Sequence, residues 1–252
     1  MDRGSNLMDL SGKVALITGS ARRVGRVLAL RLADLGCHCV LHCHTSRAEA
    51  ESLRTAIAGK GQEALVLQAD LSDEEQARLL ADQALAWKGN LHILVNSAAN
   101  FQRVSLPSIE REQWDFALDA NLLGPFWLAQ RLGPAMVQNG AGKIINIADI
   151  SWQAPWVSRI PYCVSKAGLV SLTAGLAKAF APQVQVNAIG PGPVLFPEEY
   201  TEAQRQAVIE RNLLKRAGTP EEIADALEFF CRCDFATGVF LPVDGGQSIL
   251  GI

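Results

Sequence analysis

Two side chains with complementary acid–base chemistry, Tyr162 and Lys166, stand four positions apart in the segment YCVSK. Residues four apart share one face of a helix, so the phenol and the ammonium group can converge. A nearby positive charge lowers the pKa of a phenol, which is about 10 in isolation, and makes proton transfer near neutral pH feasible. The pair therefore predicts a proton-transfer site, in which Lys166 can also hold a ribose. By spacing alone, an ordinary surface helix explains the pair as well.

A glycine-containing turn lies where the first apolar run ends and an amphipathic stretch begins. Its sequence from position 18 to 25 is TGSARRVG. Its glycines and the first amides of the following helix can approach a pyrophosphate closely. Arg23 stands where such turns often carry a glycine, and its planar charge can reach a phosphate. Tight turns and solvated arginines in general are the alternative explanations. The predicted cofactor contacts in this turn are Gly19, Arg22, Arg23, Val24 and Gly25.

The segment after the second apolar run, HTSR at positions 44–47, has no Asp or Glu to accept hydrogen bonds from an adenosine ribose. It has instead hydroxyl groups and Arg47, which together with Arg23 could surround a 2′-phosphate through charge-assisted hydrogen bonds. The sequence therefore favours NADPH over NADH as the cofactor. A histidine at a strand end is as often a structural hydrogen-bonding residue. The predicted contacts at this tip are His44, Thr45, Ser46 and Arg47.

Three further segments follow apolar runs and complete the predicted site. Asp70 can accept from an adenine amino group or cap the helix that begins near positions 72–73, and the sequence leaves both open. The small residues after Asn96 let a sugar lie against the backbone, with simple packing as the alternative. The loop PGPVLFP at 191–197 combines rigid turns with apolar tips and is a candidate lid. The cofactor contacts predicted in these segments are Asp70, Leu71, Asn96, Ala98, Ala99, Pro191, Gly192 and Val194, and Leu195 is predicted to contact the substrate.

The elements that would position these residues alternate between short apolar runs and amphipathic stretches, which is typical of repeated βαβ units. We predict strands at 13–18, 37–43, 64–69, 92–96, 143–148, 185–189 and 239–243, and helices at 23–35, 49–58, 73–87, 113–136 and 162–180. The fold class is α/β: a Rossmann-type, doubly wound, seven-stranded parallel sheet with helices on both faces. Ligands bind such sheets beyond the carboxyl ends of the strands, where the residues named above lie.

Length and composition fit one folded unit. The chain has 252 residues, of which 49% are hydrophobic and 19% charged, so we predict a flexible lead at 1–8 and a single domain at 9–252. A net charge of -3 with mixed signs argues against nucleic acid as a partner. We find no apolar run of about 18 residues and no secretory signal, which predicts a cytoplasmic protein without a membrane span. The six cysteines are expected to be reduced, and their spacing predicts no metal site.

Taken together, these motifs resemble the short-chain dehydrogenase/reductase family over residues 10–251. The resemblance rests on the turn at 18–25, Asn96, Asn121 in NLLG, the Tyr162/Lys166 pair and PG at 191–192. It implies an oxidoreductase that assembles as a homotetramer. It also implies that Asn121 holds a water molecule that links Lys166 to bulk solvent, and a hydrogen bond at a helix kink is the alternative role for Asn121.

One departure from the family pattern is chemically informative. Thirteen residues before Tyr162, where family members usually carry a serine that hydrogen-bonds a substrate carbonyl, this chain has Asp149. A carboxylate there opposes carbonyl reduction, because a developing oxyanion needs hydrogen-bond donors. Reduction of a C=N bond instead requires a proton on nitrogen, and an acid paired with Tyr162 can supply it.

Asp149, Arg23 and Phe101 together resemble the pteridine reductase and dihydromonapterin reductase branch of that family. The resemblance implies that Phe101 stacks on the pterin, and a loop-packing aromatic is the alternative. The second strand tip departs from the branch, because it reads HTS where HRS is usual.

The leading hypothesis is hydride transfer from NADPH to a dihydropterin-like ring, such as dihydrobiopterin, dihydromonapterin or dihydrofolate. The alternatives are reduction of a ketone or a 3-oxoacyl thioester, and a nucleotide-binding regulator with little turnover. The predicted catalytic residues are Asp149, Tyr162, Lys166 and Asn121, and the predicted substrate contacts are Phe101, Asp149, Tyr162 and Leu195. Tyr162 and Lys166 are also predicted to contact the cofactor.

Overall fold

Seven parallel strands form one sheet at the centre of the protein. The computed structural model describes residues 8–198 and 200–250, so the lead predicted at 1–8 lies, apart from Met8, outside the described residues. The strands are β1 Val14–Ile17, β2 His38–Cys43, β3 Ala64–Gln68, β4 Ile93–Asn96, β5 Gly142–Ile147, β6 Val184–Pro191 and β7 Phe240–Val243. They stand in the order β3-β2-β1-β4-β5-β6-β7, with every neighbouring pair parallel. The predicted fold class is confirmed.

Helices cover both faces of this sheet. They are α1 Arg23–Asp34, α2 Arg47–Ala58, α3 Glu74–Lys88, α4 Arg111–Leu118, α5 Gly124–Gln138, α6 Ile160–Phe180, α7 Glu202–Ile209 and α8 Pro220–Arg232. One hydrophobic core lies between the sheet and α1, α2 and α8, and the other lies between the sheet and α3, α5 and α6. Because both faces are covered, the central strands β1 and β4 are buried along their whole length, and all their residues except Asn96 at the end of β4 are apolar.

The winding direction changes between β1 and β4. β1 pairs with β2 on one side and with β4 on the other, and Ile17 is in register with both Leu41 and Val95. The chain segments that leave these three strands therefore emerge side by side. The crevice between them is where open α/β sheets bind ligands.

Two helical regions differ from the sequence-based expectation. The single helix predicted at 113–136 is instead α4, a π-helical segment Asp119–Leu123 and α5 in succession. The helix α8 was not predicted, although Thr219 caps it in a reciprocal capping box with Glu222, and Pro220 occupies its first turn. Both signals are readable in the sequence, and they mark a helix start.

Helix α6 is long and apolar enough, by length and composition alone, to cross a membrane. Half of its most apolar window is buried inside the described fold. Core helices of α/β sheets share this composition, because they are covered along much of their length. The apolar-run criterion used on the sequence did not single it out.

Candidate active site

The side chains of Asp149 and Tyr162 meet at the carboxyl edge of the sheet. Asp149 follows β5 and caps the short 3-10 turn Ile150–Trp152, while Tyr162 lies in the first turn of α6. The Tyr162 hydroxyl donates to Oδ2 of Asp149 at 2.8 Å, and Oδ1 of Asp149 accepts from the Ser151 amide at 2.7 Å. The fold thus closes a separation of thirteen residues and joins the acid and the phenol in one hydrogen-bonded pair.

Burial sets the protonation of this pair. Loss of hydration raises the pKa of Asp149, although hydrogen bonds from the Ser151 amide and the Tyr162 hydroxyl oppose the shift. Burial, and then the neighbouring Asp149 carboxylate, raise the pKa of Tyr162 well above its ordinary value of 10.0. The expectation that a lowered pKa of Tyr162 would follow from Lys166 is therefore wrong, because desolvation and the acid dominate, and the charge that opposes them is that of Arg159. Both partners hold their protons to higher pH than isolated groups would.

Lys166 is buried beside the ring of Tyr162. Its Nζ lies 5.8 Å from the centre of that ring and donates to the Ile147 carbonyl oxygen at 2.8 Å. Burial lowers the pKa of Lys166 to about 8, and the charge of Asp149 opposes the shift. The spacing of four residues thus brings the two side chains together, and it leaves an ammonium group that can exchange a proton close to neutral pH.

Asn121 lies in the π-helical segment, which is a helix distortion often found at functional sites. Its fully buried Oδ1 accepts from the Asn100 amide at 2.7 Å, and its Nδ2 donates to the Ser165 hydroxyl at 3.0 Å. Ser165 in turn donates to the Tyr162 carbonyl oxygen at 2.6 Å. Asn121 therefore connects the loop after β4 to the first turns of α6. Its predicted role in a water relay stays a prediction.

Close backbone approach shapes the turn after β1. A Cβ atom on Gly19 would stand 2.8 Å from the Cα of Ala98, and one on Gly25 would stand 2.3 Å from the Gly19 carbonyl oxygen. Arg23 has a φ of 54°, in the left-handed region that glycine favours. This conformation costs a residue with a Cβ about 1 to 2 kcal/mol. Such strain is typical of a functional position. It is therefore consistent with the predicted contact between the Arg23 side chain and a ligand.

His42, which the sequence analysis did not single out, holds this turn in place through hydrogen bonds of its imidazole ring. Its Nδ1 accepts from the Gly19 amide at 3.1 Å, and its Nε2 lies 3.0 Å from the Ala69 carbonyl oxygen. The two bonds require a neutral ring with its proton on Nε2, and burial lowers the pKa of His42 to about 4. A histidine within an otherwise apolar buried strand was the available signal, because buried polar groups need partners. Thr18 likewise accepts from the Ala98 amide at 3.0 Å.

Charged side chains near the tip of β2 form long pairs with partly exposed partners. Arg22 lies 3.9 Å from a carboxylate oxygen of Glu49, and Arg47 lies 3.8 Å from one of Glu51. Exposed pairs of this length contribute little to stability and are easily rearranged. A phosphate that enters this region would therefore meet two arginines whose present partners hold them weakly.

Two details of the predicted cofactor site are different in the structure. Arg23 donates from its Nη2 to the Leu195 carbonyl oxygen at 3.3 Å, a contact that the sequence analysis did not predict, and its joint contact with Arg47 to a 2′-phosphate stays a prediction. Asp70 does not cap α3, since the cap is Asp73, which accepts from the amides at positions 75 and 76. Oδ1 of Asp70 instead accepts from the Ser72 amide at 2.9 Å and from the Ser72 hydroxyl at 2.7 Å, and its Oδ2 lies 3.7 Å from Nε2 of His44. The adenine contact thus remains the prediction for Asp70.

The other predicted cofactor contacts lie at the ends of the same strands. Asn96 is buried and donates to Oδ1 of Asn146 at 2.8 Å. Leu71 is buried, and the half-buried Val24 and Val194 pack against the core. Thr45 and Ser46 lie between β2 and α2, and no side-chain cap bond from Ser46 is formed. The residues Ala98, Ala99, Pro191 and Gly192 lie at the carboxyl ends of β4 and β6.

The candidate lid, the loop at 191–197, is held at its first residues by contacts with β7 and the residue after it. The Gly192 amide donates to the Val243 carbonyl oxygen at 3.0 Å, and a Cβ on Gly192 would stand 2.6 Å from the Cα of Asp244. The hydrogen bond from Arg23 to Leu195 then links the loop to the glycine turn. The loop at 191–197 therefore borders the crevice on the side opposite to the tip of β2.

An aromatic group stands next to Tyr162. The ring centres of Phe101 and Tyr162 are 4.7 Å apart with an angle of 80° between the planes, and Trp156 is parallel to Tyr162 at 6.3 Å. The guanidinium carbon of Arg159 lies over Phe101, 4.1 Å from its centre. Phe101 is 45% exposed. Phe101 and Trp156 thus form an aromatic wall beside the phenol, and the exposed part of Phe101 is open to a ligand. The sequence analysis did not identify Arg159 as a neighbour of this wall.

Comparison with known proteins places the whole chain among reductases and dehydrogenases. A family model described as enoyl-(acyl carrier protein) reductase matches residues 19–248. The 3-oxoacyl-[acyl-carrier-protein] reductase of Staphylococcus aureus (strain Mu50) is 30% identical over 240 residues, which cover 93% of this chain and 98% of that protein. Glucose 1-dehydrogenase 2 of Bacillus subtilis (strain 168) is 31% identical over 249 residues, which cover 96% of each chain.

Solved structures match over the same extent. The blue fluorescent protein from a metagenomic library, crystallised with NADPH, has a TM-score of 0.89 at 29% identity and covers 95% of this chain and 99% of its own. A short-chain type dehydrogenase/reductase from Mycobacterium marinum has a TM-score of 0.86 at 31% identity and covers 96% and 97%. Tyr162, Lys166 and the two glycines of the turn, Gly19 and Gly25, lie within residues 19–248, which the family model matches.

Proposed function

Because the chain belongs to the short-chain dehydrogenase/reductase family and is thus an NAD(P)-dependent oxidoreductase, we propose that it uses NADPH to reduce a C=N bond in a dihydropterin-type ring. The choice of NADPH and the choice of substrate are the proposal. The observation that carries it is the hydrogen bond of 2.8 Å between the Tyr162 hydroxyl and Asp149.

The residues at the turn after β1 fit a dinucleotide. Gly19 and Gly25 leave no room for a Cβ, so the backbone there is bare and the first amides of α1 are accessible to a pyrophosphate. The tip of β2 has no carboxylate at positions 43–47, and the weakly held Arg22 and Arg47 stand near it. Both features favour a 2′-phosphate. When bound, NADPH supplies the hydride for the reaction.

Tyr162 and Asp149 supply the proton in this proposal. The hydride adds to the ring carbon, the C=N double bond becomes a single bond, and the nitrogen takes a proton from the phenol or from the protonated carboxyl group. The raised pKa of both groups keeps that proton on the pair to higher pH. Lys166 lies beside Tyr162, where its ammonium group can return a proton to the phenol after each turnover. Asn121 would hold the water molecule that links Lys166 to bulk solvent.

A second candidate is reduction of a ketone or a 3-oxoacyl thioester. The names of the two relatives favour it, because one acts on a 3-oxoacyl group and the other on a sugar, and in this respect the comparisons support the carbonyl alternative better than the pterin hypothesis. The geometry is compatible with it when Asp149 is protonated, since a carboxylic acid donates a hydrogen bond to a carbonyl oxygen. The raised pKa of Asp149 favours that form.

Oxidation of NADPH with matched substrates separates these functions. We expect the purified protein to reduce dihydrobiopterin faster than a 3-oxobutyryl thioester. We expect Asp149→Ser to lower the pterin rate by about 100-fold, because a proton donor is lost, and to raise the thioester rate. A wild-type protein that prefers the thioester would establish the second candidate. Tight binding of NADPH without turnover on either substrate would indicate a nucleotide-binding regulator.

We further propose that the chain assembles as a homotetramer. Large apolar side chains are exposed on two separate regions, Phe116 and Val164 on α4 and α6, and Phe229 and Phe235 on and after α8. Exposed apolar groups in clusters are typical of subunit contacts. Sedimentation velocity measures the assembly, and Phe116→Glu should reduce the tetramer to a smaller species.

A further inference from the structure

A buried arginine without an acidic partner lies beside the active site. Arg159 is 7% exposed and precedes Tyr162 by three residues, at the start of α6. Its Nε atom is buried without a hydrogen-bond partner, and its side chain forms no ion pair with any residue in 8–198 and 200–250. A guanidinium group keeps its charge at every pH at which the protein is folded. Among the residues that the structure describes, this positive charge next to the phenol therefore has no carboxylate partner.

The position of this charge is defined by aromatic contacts. The guanidinium carbon of Arg159 is 4.1 Å from the centre of the Phe101 ring, and Phe101 packs at 4.7 Å against the ring of Tyr162. The guanidinium group, the aromatic wall and the phenol are thus contiguous. A cation–π contact of this kind compensates for lost hydration less completely than an anionic partner would.

Lys143 shows how this fold pairs a second buried cation, which lies outside the candidate active site. It is 2% exposed, and its Nζ donates to the Asp234 carboxylate at 2.7 Å and to the Cys233 carbonyl oxygen at 2.9 Å. Buried charges are normally paired in this way, because an unpaired one is expensive. The acid nearest the phenol, Asp149, is already bonded to Tyr162 and Ser151. Arg159 is therefore buried to a degree that is usual for a charge in an ion pair, but no residue that the structure describes pairs with it.

We propose that the partner of Arg159 is an anionic group of the substrate, a carboxylate or a phosphate, that binds against Phe101 while the reducible bond lies at Tyr162. The planar guanidinium fork can donate two parallel hydrogen bonds to two oxygens of either group. This proposal rests on the proposed reductase function for where the substrate lies, and it narrows the substrate class. It favours the acidic members of each candidate class, a pterin with an acidic substituent or an oxo compound with an acid group.

Ligand binding, measured without turnover, tests this subsite. The protein saturated with NADPH is titrated calorimetrically with benzoate, with phenyl phosphate and with the uncharged benzamide. We expect at least one of the two anions to bind wild type about tenfold more tightly than benzamide, which corresponds to the cost of one lost charge-assisted contact. The anion that gains more identifies the group, carboxylate or phosphate, that the site prefers.

Three variants attribute this preference to Arg159. We expect Arg159→Met, which fills similar volume, to bind the anions and benzamide equally, and Arg159→Lys to keep part of the preference, because it retains the charge and loses the fork. Arg103→Met removes an exposed arginine from the same loop as Phe101 and should leave the preference intact. Should Arg159→Met fail to fold, the intermediate preference of Arg159→Lys still decides the point.

Equal affinities of the anions and benzamide for wild type, or an unchanged preference in Arg159→Met, would overturn the anion site and leave Arg159 as a support for Phe101. This outcome is distinct from failure of the proposed function. A protein that prefers the anions through Arg159 but does not reduce dihydropterins retains the subsite and loses the pterin proposal. A protein that reduces neutral dihydropterins and shows no anion preference retains the pterin proposal and loses the anion subsite.

Discussion

The two halves of the crevice are built by different physical means. On the side of β5 and α6, Asp149, Tyr162 and Lys166 are side chains removed from water, and their pKa values are shifted by burial. On the side of β1 and β2, the backbone at Gly19 and Gly25 forms a cradle, and the charges around it are long pairs that remain partly exposed to solvent.

The difference matches the task that we propose for each half. Proton transfer near neutral pH needs shifted pKa values, and desolvation together with close charges produces such shifts. A phosphate-bearing ligand needs accessible amides and charges that can reorient toward it. We therefore expect changes on the buried side to have large effects and single changes at the exposed charges to have small ones.

The largest effect is expected for Tyr162→Phe, which keeps the ring and removes the proton. We expect kcat to fall by about 1,000-fold, within the usual range for loss of a general acid, while the dissociation constant for NADPH changes little. Steady-state kinetics and a fluorescence titration measure the two quantities. The same substitution at the second tyrosine of the chain, Tyr200→Phe, is the matched control and should leave kcat unchanged. A modest loss at Tyr162 would mean that the buried half is less specialised than its geometry indicates.

Acid should weaken the cradle through His42. The pKa of His42 is about 4 in the fold and 6.5 when unperturbed. The unfolded chain therefore takes up the proton first, and the free energy of unfolding decreases as the pH falls from 7 to 4, by about 3 kcal/mol from this residue.

Urea unfolding at pH 7 and at pH 4 measures this contribution. His42→Gln cannot gain the charge, so its unfolding free energy should depend on pH less steeply than that of wild type, by about the same amount. Parallel pH profiles of the two proteins would show that His42 is not held neutral in the fold.

Gly25→Ala tests the shape of the backbone cradle. The added methyl group would stand 2.3 Å from the Gly19 carbonyl oxygen, so the turn must shift. We expect NADPH to bind roughly 30-fold more weakly, which corresponds to about 2 kcal/mol of strain. Gly175→Ala is the control, because no atom lies within 4 Å of a Cβ at this exposed helical position. That variant should bind NADPH normally and be slightly more stable, since alanine is the better helix former.

The smallest effect is expected at the exposed arginines. Arg22 lies on the side of α2, whereas Arg23 contacts the lid at Leu195. We expect Arg22→Ala to weaken NADPH binding by about tenfold and NADH binding hardly at all, because only NADPH carries a 2′-phosphate. Arg23→Ala should affect both cofactors alike. If only Arg23→Ala weakens the binding of NADPH selectively, then Arg23 contacts the 2′-phosphate together with Arg47, as the sequence predicts. The Arg23 side chain would then have to move away from Leu195 when the cofactor binds.

The strands and most of the helices could be predicted because their signals are local. Apolar runs of four to eight residues with intervening amphipathic stretches identify a covered parallel sheet. The divided helix at 111–138 could not be predicted, because the π turn at Asn121 depends on hydrogen bonds to Asn100 and Ser165, which come from other elements. The direction of the pKa shift of Tyr162 failed for a similar reason. Spacing places Lys166 beside the phenol, but desolvation and a carboxyl group thirteen residues away determine the shift.

The sequence by itself determined the fold class, the glycine turn and the set of reactive residue types, since each depends on a local pattern or on residue identity. Only the tertiary structure decided which charges meet. It joined Asp149 to Tyr162, linked Arg23 to Leu195, placed a neutral His42 under the turn and left Arg159 without an acidic partner among the described residues. The physical reason is that burial and pairing are properties of the three-dimensional surroundings. The pKa of a group and the energy of its interactions with other charges depend on those surroundings far more than on its neighbours in sequence.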